Sequence, residues 1–177
     1  MRCFVSGGCK NGKSFFAQRL AKEQQDGLLY YIATMAPVDA EDDERIVRHR
    51  AERDGWGFVT VEQPVGIEDV LEKCDCGGSF LLDSLTALLA NEMFPLGGDV
   101  DAVAAARTIS GLSEVLAAVG NIVIVSDFLY SDAFVFDPLT EQYRKALAEV
   151  DRAVARACDA VAEVTYSGVV WHKGSGG

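Results

Sequence analysis

Positive charge is scarce in this sequence. Sixteen Lys and Arg face 27 Asp and Glu, two histidines complete the set, and the formal net charge at pH 7 is −11. A surface that grips nucleic acid needs a basic stripe, so nucleic acid is excluded as a partner. No apolar run approaches the roughly 18 residues of a membrane-spanning helix, and no membrane span is expected. The stretch ahead of the first glycine turn is too short for a signal peptide, and the turn itself has to stay attached. The five cysteines, Cys3, Cys9, Cys74, Cys76 and Cys158, are an odd set without the pairing of a zinc site. Cys74-x-Cys76 is weak evidence for a metal, and ordinary reduced thiols fit better. Together these points predict a cytoplasmic protein. Neither an internal repeat nor a linker divides it, which predicts one domain over residues 1–173 and a flexible tail over 174–177.

Few cations make each cluster of them informative, because an acidic protein that binds a polyanion must gather its positive groups where the phosphates sit. The run Gly7-Gly8-Cys9-Lys10-Asn11-Gly12-Lys13-Ser14 fits G-x-x-x-x-G-K-[ST] without a gap. It follows the apolar run Cys3-Phe4-Val5 and leads into a helical pattern from Ser14 to Gln24, the order strand, turn, helix that the motif requires. The glycines let backbone N–H groups approach phosphate oxygens, and the helix start adds partial positive charge. Lys13 can reach the β- and γ-phosphates, and the Ser14 hydroxyl can hold Mg²⁺.

The remaining chain alternates strand and helix patterns. Leu28 to Ala33 reads as a buried strand ending at Thr34-Met35-Ala36-Pro37. Phe58-Val59-Thr60-Val61 is a short strand ending at Glu62, and Ile67 to Cys74 is a short helix. Ser79 to Asp83 is an apolar strand closed by an acid, the expected form of the second nucleotide motif, whose carboxylate reaches Mg²⁺. Helices follow over Ser84 to Phe94 and Val100 to Val119. Asn121 to Ser126 is another buried strand, and Phe128 to Pro138 is irregular and rich in aromatics. Leu139 to Cys158 is a long helix with Tyr143, Leu147, Val150 and Val154 as its buried stripe. Ala160 to Tyr166 is a strand, and Gly168 to Lys173 an extended tail. This is an α/β chain with a three-layer, P-loop NTPase-like fold and a mostly parallel sheet.

Between the second strand and Gly55, Asp39 to Arg53 is almost entirely charged, with acids early and bases late, as the helix macrodipole favours. Arg45, His49 and Arg53 recur every four residues and would share one helix face. A histidine between two arginines suits a phosphate; on a charged helix it also suits a plain solvated surface. Residue chemistry leaves both readings open, and supports an NTP-dependent phosphotransferase or NTPase.

The order of several segments resembles the bifunctional adenosylcobinamide kinase/adenosylcobinamide-phosphate guanylyltransferase family of cobalamin assembly, over almost the whole chain. Gly7 to Ser14 is similar to the family's G-G-x-R-S-G-K-S loop. Tyr31-Ile32-Ala33-Thr34 is similar to its Y-I-A-T, and Glu44-Arg45-Ile46-Val47-Arg48-His49-Arg50 with Arg53 to its E-R-I-x-x-H-x-x-x-R. Thr60-Val61-Glu62-Gln63-Pro64 resembles T-x-E-x-P. Leu82-Asp83-Ser84-Leu85-Thr86 with Asn91 resembles L-(D/E)-x-(L/I)-T-x-x-x-x-N, and Ser167-Gly168 with Lys173 resembles the terminal segment.

The resemblance implies a two-step enzyme that phosphorylates adenosylcobinamide with an NTP, then transfers GMP from GTP to that phosphate. It implies that His49 carries GMP covalently and that Lys13 acts in catalysis. It further implies nucleotide contacts from Gly7, Gly8, Cys9, Lys10, Asn11, Gly12, Lys13, Ser14, Thr34, Arg50, Arg53, Glu62 and Asp83. Mg²⁺ on Ser14 and Asp83, GTP and ATP as substrates, and a homo-oligomer complete the expectation. Three places depart from the pattern. Lys10-Asn11 replaces Arg-Ser, Ser126-Asp127-Phe128-Leu129-Tyr130 replaces T-N-E-V-G, and Ala148-Glu149-Val150-Asp151-Arg152 replaces G-x-V-N-Q. They bear on the acceptor more than on the nucleotide. A monofunctional small-molecule kinase with another acceptor, or a nucleotide-binding regulator with little turnover, fits the same motifs.

Overall fold

A computed structural model of the protein describes residues 1–36, 55–130, 134–166 and 168–174. In chain order its elements are β1 (Arg2–Gly7), α1 (Lys13–Glu23), β2 (Leu29–Ala33), β3 (Phe58–Glu62), a 3₁₀ turn (Ile67–Asp69) running into α2 (Val70–Lys73), β4 (Ser79–Asp83), α3 (Leu85–Met93), α4 (Ala104–Ala118), β5 (Asn121–Asp127), α5 (Pro138–Ala157), β6 (Ala160–Thr165) and β7 (Gly168–Lys173). One seven-stranded sheet has the order β3-β2-β4-β5-β1-β6-β7. Every pair in it is parallel except β6 with β7.

The strands read as continuous apolar runs because both faces of the sheet are covered. Alternate residues divide between the two faces. Phe4, Ile32, Leu82 and Ile124 enter one core with Leu85, Leu88, Leu112, Leu147, Val150 and Val154 from α3, α4 and α5. Cys3, Val5, Tyr31, Leu81, Val123 and Val125 enter the other, against Ala17, Leu20 and Ala21 of α1. The result is the three-layer α/β arrangement expected from the alternation of elements.

Most boundaries agree with the sequence reading to within a residue, and three places differ in a way the structure explains. Leu28 is more than half exposed and the buried strand begins at Leu29. The helix expected from Val100 begins at Ala104, because Asp101 holds the chain in a turn: its Oδ1 accepts the Val103 N–H at 2.9 Å and its Oδ2 pairs with Arg107 at 2.7 Å. The expected extended tail is instead a paired strand, β7, lying antiparallel on β6. The charged stretch from Asp39 to Arg53 lies outside the described residues, as do 175–177 of the tail.

Candidate nucleotide-phosphate site

The loop between β1 and α1 is built by conformations its sequence supplies. Gly12 sits at φ 89°, a left-handed position open to glycine, and Lys10 at φ 54°. Gly7 meets a different requirement, since a Cβ there would lie 2.6 Å from the Val164 carbonyl oxygen on β6. Asn11 ties the loop down. Its side-chain amide donates to that same Val164 oxygen, and its Oδ1 accepts the Lys13 N–H at 3.1 Å. The asparagine therefore joins the loop to the neighbouring strand. Gly8, Cys9 and Lys10 form its exposed crest.

Lys13 opens α1 and is 8% exposed. Its ammonium folds back over the loop, donating to the Gly8 carbonyl at 3.2 Å and pairing with Asp127 Oδ1 at 2.5 Å. Sheet register explains the second contact. Gly7 lies opposite Asp127, and the Phe128 N–H donates to the Gly7 oxygen at 3.0 Å, so β5 carries its terminal carboxylate to the point where the loop begins. Asp83 ends β4 level with Val125, one pleat lower, and its Oδ2 accepts the Tyr31 hydroxyl at 2.9 Å. Two carboxylates on adjacent strands thus reach the carboxyl edge of the sheet, where open α/β sheets bind ligands.

Further along that edge, Thr34 is fully buried and its hydroxyl is engaged with Ser84, donating to the carbonyl at 2.8 Å and accepting the N–H at 2.7 Å. The Asp83–Ser84 peptide between them is cis. Asn91 bridges the Thr34 and Pro64 carbonyls at 2.8 and 3.0 Å, fastening the ends of β2 and β3 to α3. Glu62 is exposed at the end of β3, beside Ala33. The structure thus brings Gly7, Gly8, Cys9, Lys10, Asn11, Gly12, Lys13 and Ser14 together at one strand end, with Thr34, Glu62 and Asp83 along the same edge. His49, Arg50 and Arg53 lie outside the described residues.

The oxygen donors present suit Mg²⁺, a hard cation. Ser14, half-buried in the first turn of α1, has no hydrogen-bond partner for its hydroxyl among the described residues. Asp83 is held in orientation through one oxygen by Tyr31. Among the described residues no cluster of three His, Cys, Asp or Glu forms a cage of its own, so an ion here would draw further ligands from phosphate and water.

Several contributors have no motif signal. Asp127 reads in sequence as a polar strand end, and only sheet register shows that it meets Lys13. Asp151 on α5 is 2% exposed, and its Oδ2 accepts the Tyr130 hydroxyl at 2.9 Å. Its Oδ1 and the nearby Ser126 hydroxyl complete no hydrogen bond. Burial pushes the Asp151 carboxyl up to about 6; the Asp127 charge adds to the rise, and the hydrogen bond from the Tyr130 hydroxyl opposes it. Arg144, 8% exposed, donates to the Leu129 carbonyl at 2.9 Å and stacks on Phe136 at 4.7 Å from the ring centre. It fastens the segment after β5, which exposes Phe128, Leu129, Phe134 and Val135.

A family model described as cobinamide kinase / cobinamide phosphate guanyltransferase matches residues 3–171. The bifunctional adenosylcobalamin biosynthesis protein CobP of Pseudomonas aeruginosa is 33% identical over 164 residues, covering 91% of each chain. The bifunctional adenosylcobalamin biosynthesis protein CobU of Escherichia coli is 33% identical over 103 residues, 57% of this chain and 55% of its own. Among solved structures, the flagellar accessory protein FlaH from Methanocaldococcus jannaschii and a KaiC-like protein from Pyrococcus horikoshii each superpose with a TM-score of 0.52. Each match covers 97% of this chain and 77% of theirs, at 12% and 11% identity. Those two similarities bear on the fold alone.

Proposed function

The chain belongs to the cobinamide kinase / cobinamide phosphate guanyltransferase family, enzymes of cobalamin biosynthesis, and from that premise we propose that it performs both transfers through the site at the sheet's carboxyl edge. In the first, the hydroxyl of the aminopropanol arm of adenosylcobinamide attacks the γ-phosphorus of a nucleoside triphosphate. The bond from that phosphorus to the β,γ-bridging oxygen breaks and a nucleoside diphosphate leaves. In the second, a ring nitrogen of neutral His49 attacks the α-phosphorus of GTP and pyrophosphate departs. The phosphate of adenosylcobinamide phosphate then displaces the histidine from the GMP phosphorus, giving adenosylcobinamide-GDP.

The loop's backbone N–H groups and Lys13 hold the phosphates and offset their charge as it redistributes. Ser14 and Asp83 would hold Mg²⁺, which when bound neutralises charge on the phosphate oxygens. Arg45 and Arg53, four residues to either side of His49 in sequence, would offset charge at the α-phosphate. Thr34, Arg50 and Glu62 would contact the nucleotide. β2 ends at Ala33 on the sheet edge where Lys13 lies.

One observation supports this reading above the others: Lys13 stands over a complete phosphate loop in a chain that matches the family from residue 3 to residue 171. Incubation with adenosylcobinamide and ATP or GTP should give the phosphate ester, and further GTP should convert it to the GDP adduct with release of pyrophosphate. Turnover of triphosphate without any corrinoid product would sink the reading.

A further inference from the structure

We propose that the groove between the last two turns of α5 and the paired strands β6 and β7 is a second anion site, which takes the diphosphate group of a small molecule. The groove has a volume of about 480 Å³ and is lined by Arg152, Ala155, Arg156, Val161, His172 and Lys173. In a chain of net charge −11, four of those six residues carry or can carry positive charge. The groove stands apart from the phosphate loop and from the transfers proposed there. Val164 of β6 is level with Gly7, whereas Val161 is level with Phe4, about 10 Å back toward the amino edge of the sheet. α5 also covers the sheet face opposite to α1.

Local structure aims these side chains. Along a regular strand successive residues alternate between faces. β6 and β7 break that rule at a bulge: Val161 pairs with Lys173 but its neighbour Ala162 pairs with Trp171, so His172 is the extra residue. Trp171 packs toward α1, its ring 6.2 Å from that of Phe16. His172 and Lys173 both turn to the side of α5. His172 Nε2 lies 2.8 Å from Glu163 Oε2, and the Lys173 ammonium donates to the Arg156 and Cys158 carbonyls at 3.0 and 2.5 Å. Lys173 thus covers the carbonyl end of α5, the negative pole that would otherwise repel an anion. Arg152 and Arg156 are exposed, four residues apart and so about 6 Å along one face of the helix. Among the described residues neither has an ion-pair partner. Two guanidinium forks at that spacing can each take one phosphate of a diphosphate. Ala155 and Val161 leave an apolar floor for the rest of the molecule. An extended polyanion is disfavoured, because the groove is short and the chain as a whole is acidic.

The test is a titration of the isotope-labelled chain, in magnesium-free buffer, with sodium pyrophosphate and with GDP, read residue by residue from NMR shifts. We expect saturable shifts at Arg152, Arg156, His172 and Lys173, with a Kd of about 1 mM or tighter for pyrophosphate. Equal or weaker binding of GDP marks free pyrophosphate as the occupant; tighter binding marks a nucleoside diphosphate seated on the apolar floor. Exchanging both arginines, Arg152→Gln with Arg156→Gln, should weaken binding at the groove about tenfold or more. The shifts that the same probes cause at Gly8 to Ser14 should stay as they are, and so should the thermal midpoint, since both arginines are exposed. Groove shifts that fail to saturate by about 10 mM, or that sodium chloride reproduces at equal ionic strength, overturn the proposal. So does groove affinity within about twofold of the parent in the double variant. Tighter binding of a decaglutamate peptide than of pyrophosphate overturns it as well, since that marks a peptide surface.

Discussion

Lys13 carries the charge balance of the site. It is nearly buried in a protein of net charge −11, and its two observed contacts, a carbonyl and a carboxylate, are the kinds of group a triphosphate replaces. Lys13→Met keeps most of the packing of its stem and removes the charge. It should cost about 10²- to 10³-fold in phosphoryl transfer, read from single-turnover rates, while leaving the fold intact by circular dichroism. The same change strips Asp127 of its partner, so combining it with Asp127→Asn should be clearly less than additive. Multiplicative losses would show that the two residues act separately.

At the scale of elements, the site depends on how closely β1, β5 and β6 approach one another. Gly7→Ala would put a methyl group 2.6 Å from the Val164 carbonyl, backbone that has no rotamer to yield. The expected cost is about 1–3 kcal/mol of unfolding free energy, read as a lower urea midpoint, with weaker GTP binding because the loop moves with the strand. An unchanged midpoint would mean that β6 gives way freely. α5 adds a second element-scale test through Asp151. Its carboxyl is pushed up to about 6 by burial, above the unfolded value near 4, so the ionised form is the costly one in the folded protein. The folded protein binds a proton more tightly there than the unfolded chain does, so this group lowers stability as pH rises from about 4 to 6, and the deficit persists above. Asp151→Asn keeps an acceptor for Tyr130. It should therefore raise stability at pH 7 by on the order of 2 kcal/mol, with the gain vanishing below about pH 4. A gain independent of pH would show that the charge is not its source.

Legibility of the chain varied in a physically intelligible way. The phosphate loop and the strand–turn–helix unit that carries it depend on local geometry, and residues 7–14 state that geometry outright. Buried strands such as Leu29–Ala33 and Asn121–Asp127 announce themselves because both faces need apolar residues. Asp127, Asn11 and Tyr31 gave no such signal, because their partners Lys13, Val164 and Asp83 come from other elements and only register brings them together. β7 was hidden for a similar reason: an edge strand with alternating exposure resembles an extended tail until its pairing with β6 is seen.

For the whole molecule, the formal net charge is −11, and no helix among the described residues is long and apolar enough to cross a membrane. A complete phosphate loop serves many reactions. The proposed mechanism is more specific: in it the nucleotide itself is taken onto His49. The most direct measurement is incubation with GTP labelled at the α-phosphate, followed by denaturation and detection of protein-bound label. An acid-labile, base-stable adduct should form, pass to added adenosylcobinamide phosphate, and be absent from His49→Ala. It should weaken as the pH falls through about 6.5, where an imidazole becomes protonated. Label that persists in His49→Ala, or forms equally well far below pH 5, would contradict a histidine nucleophile.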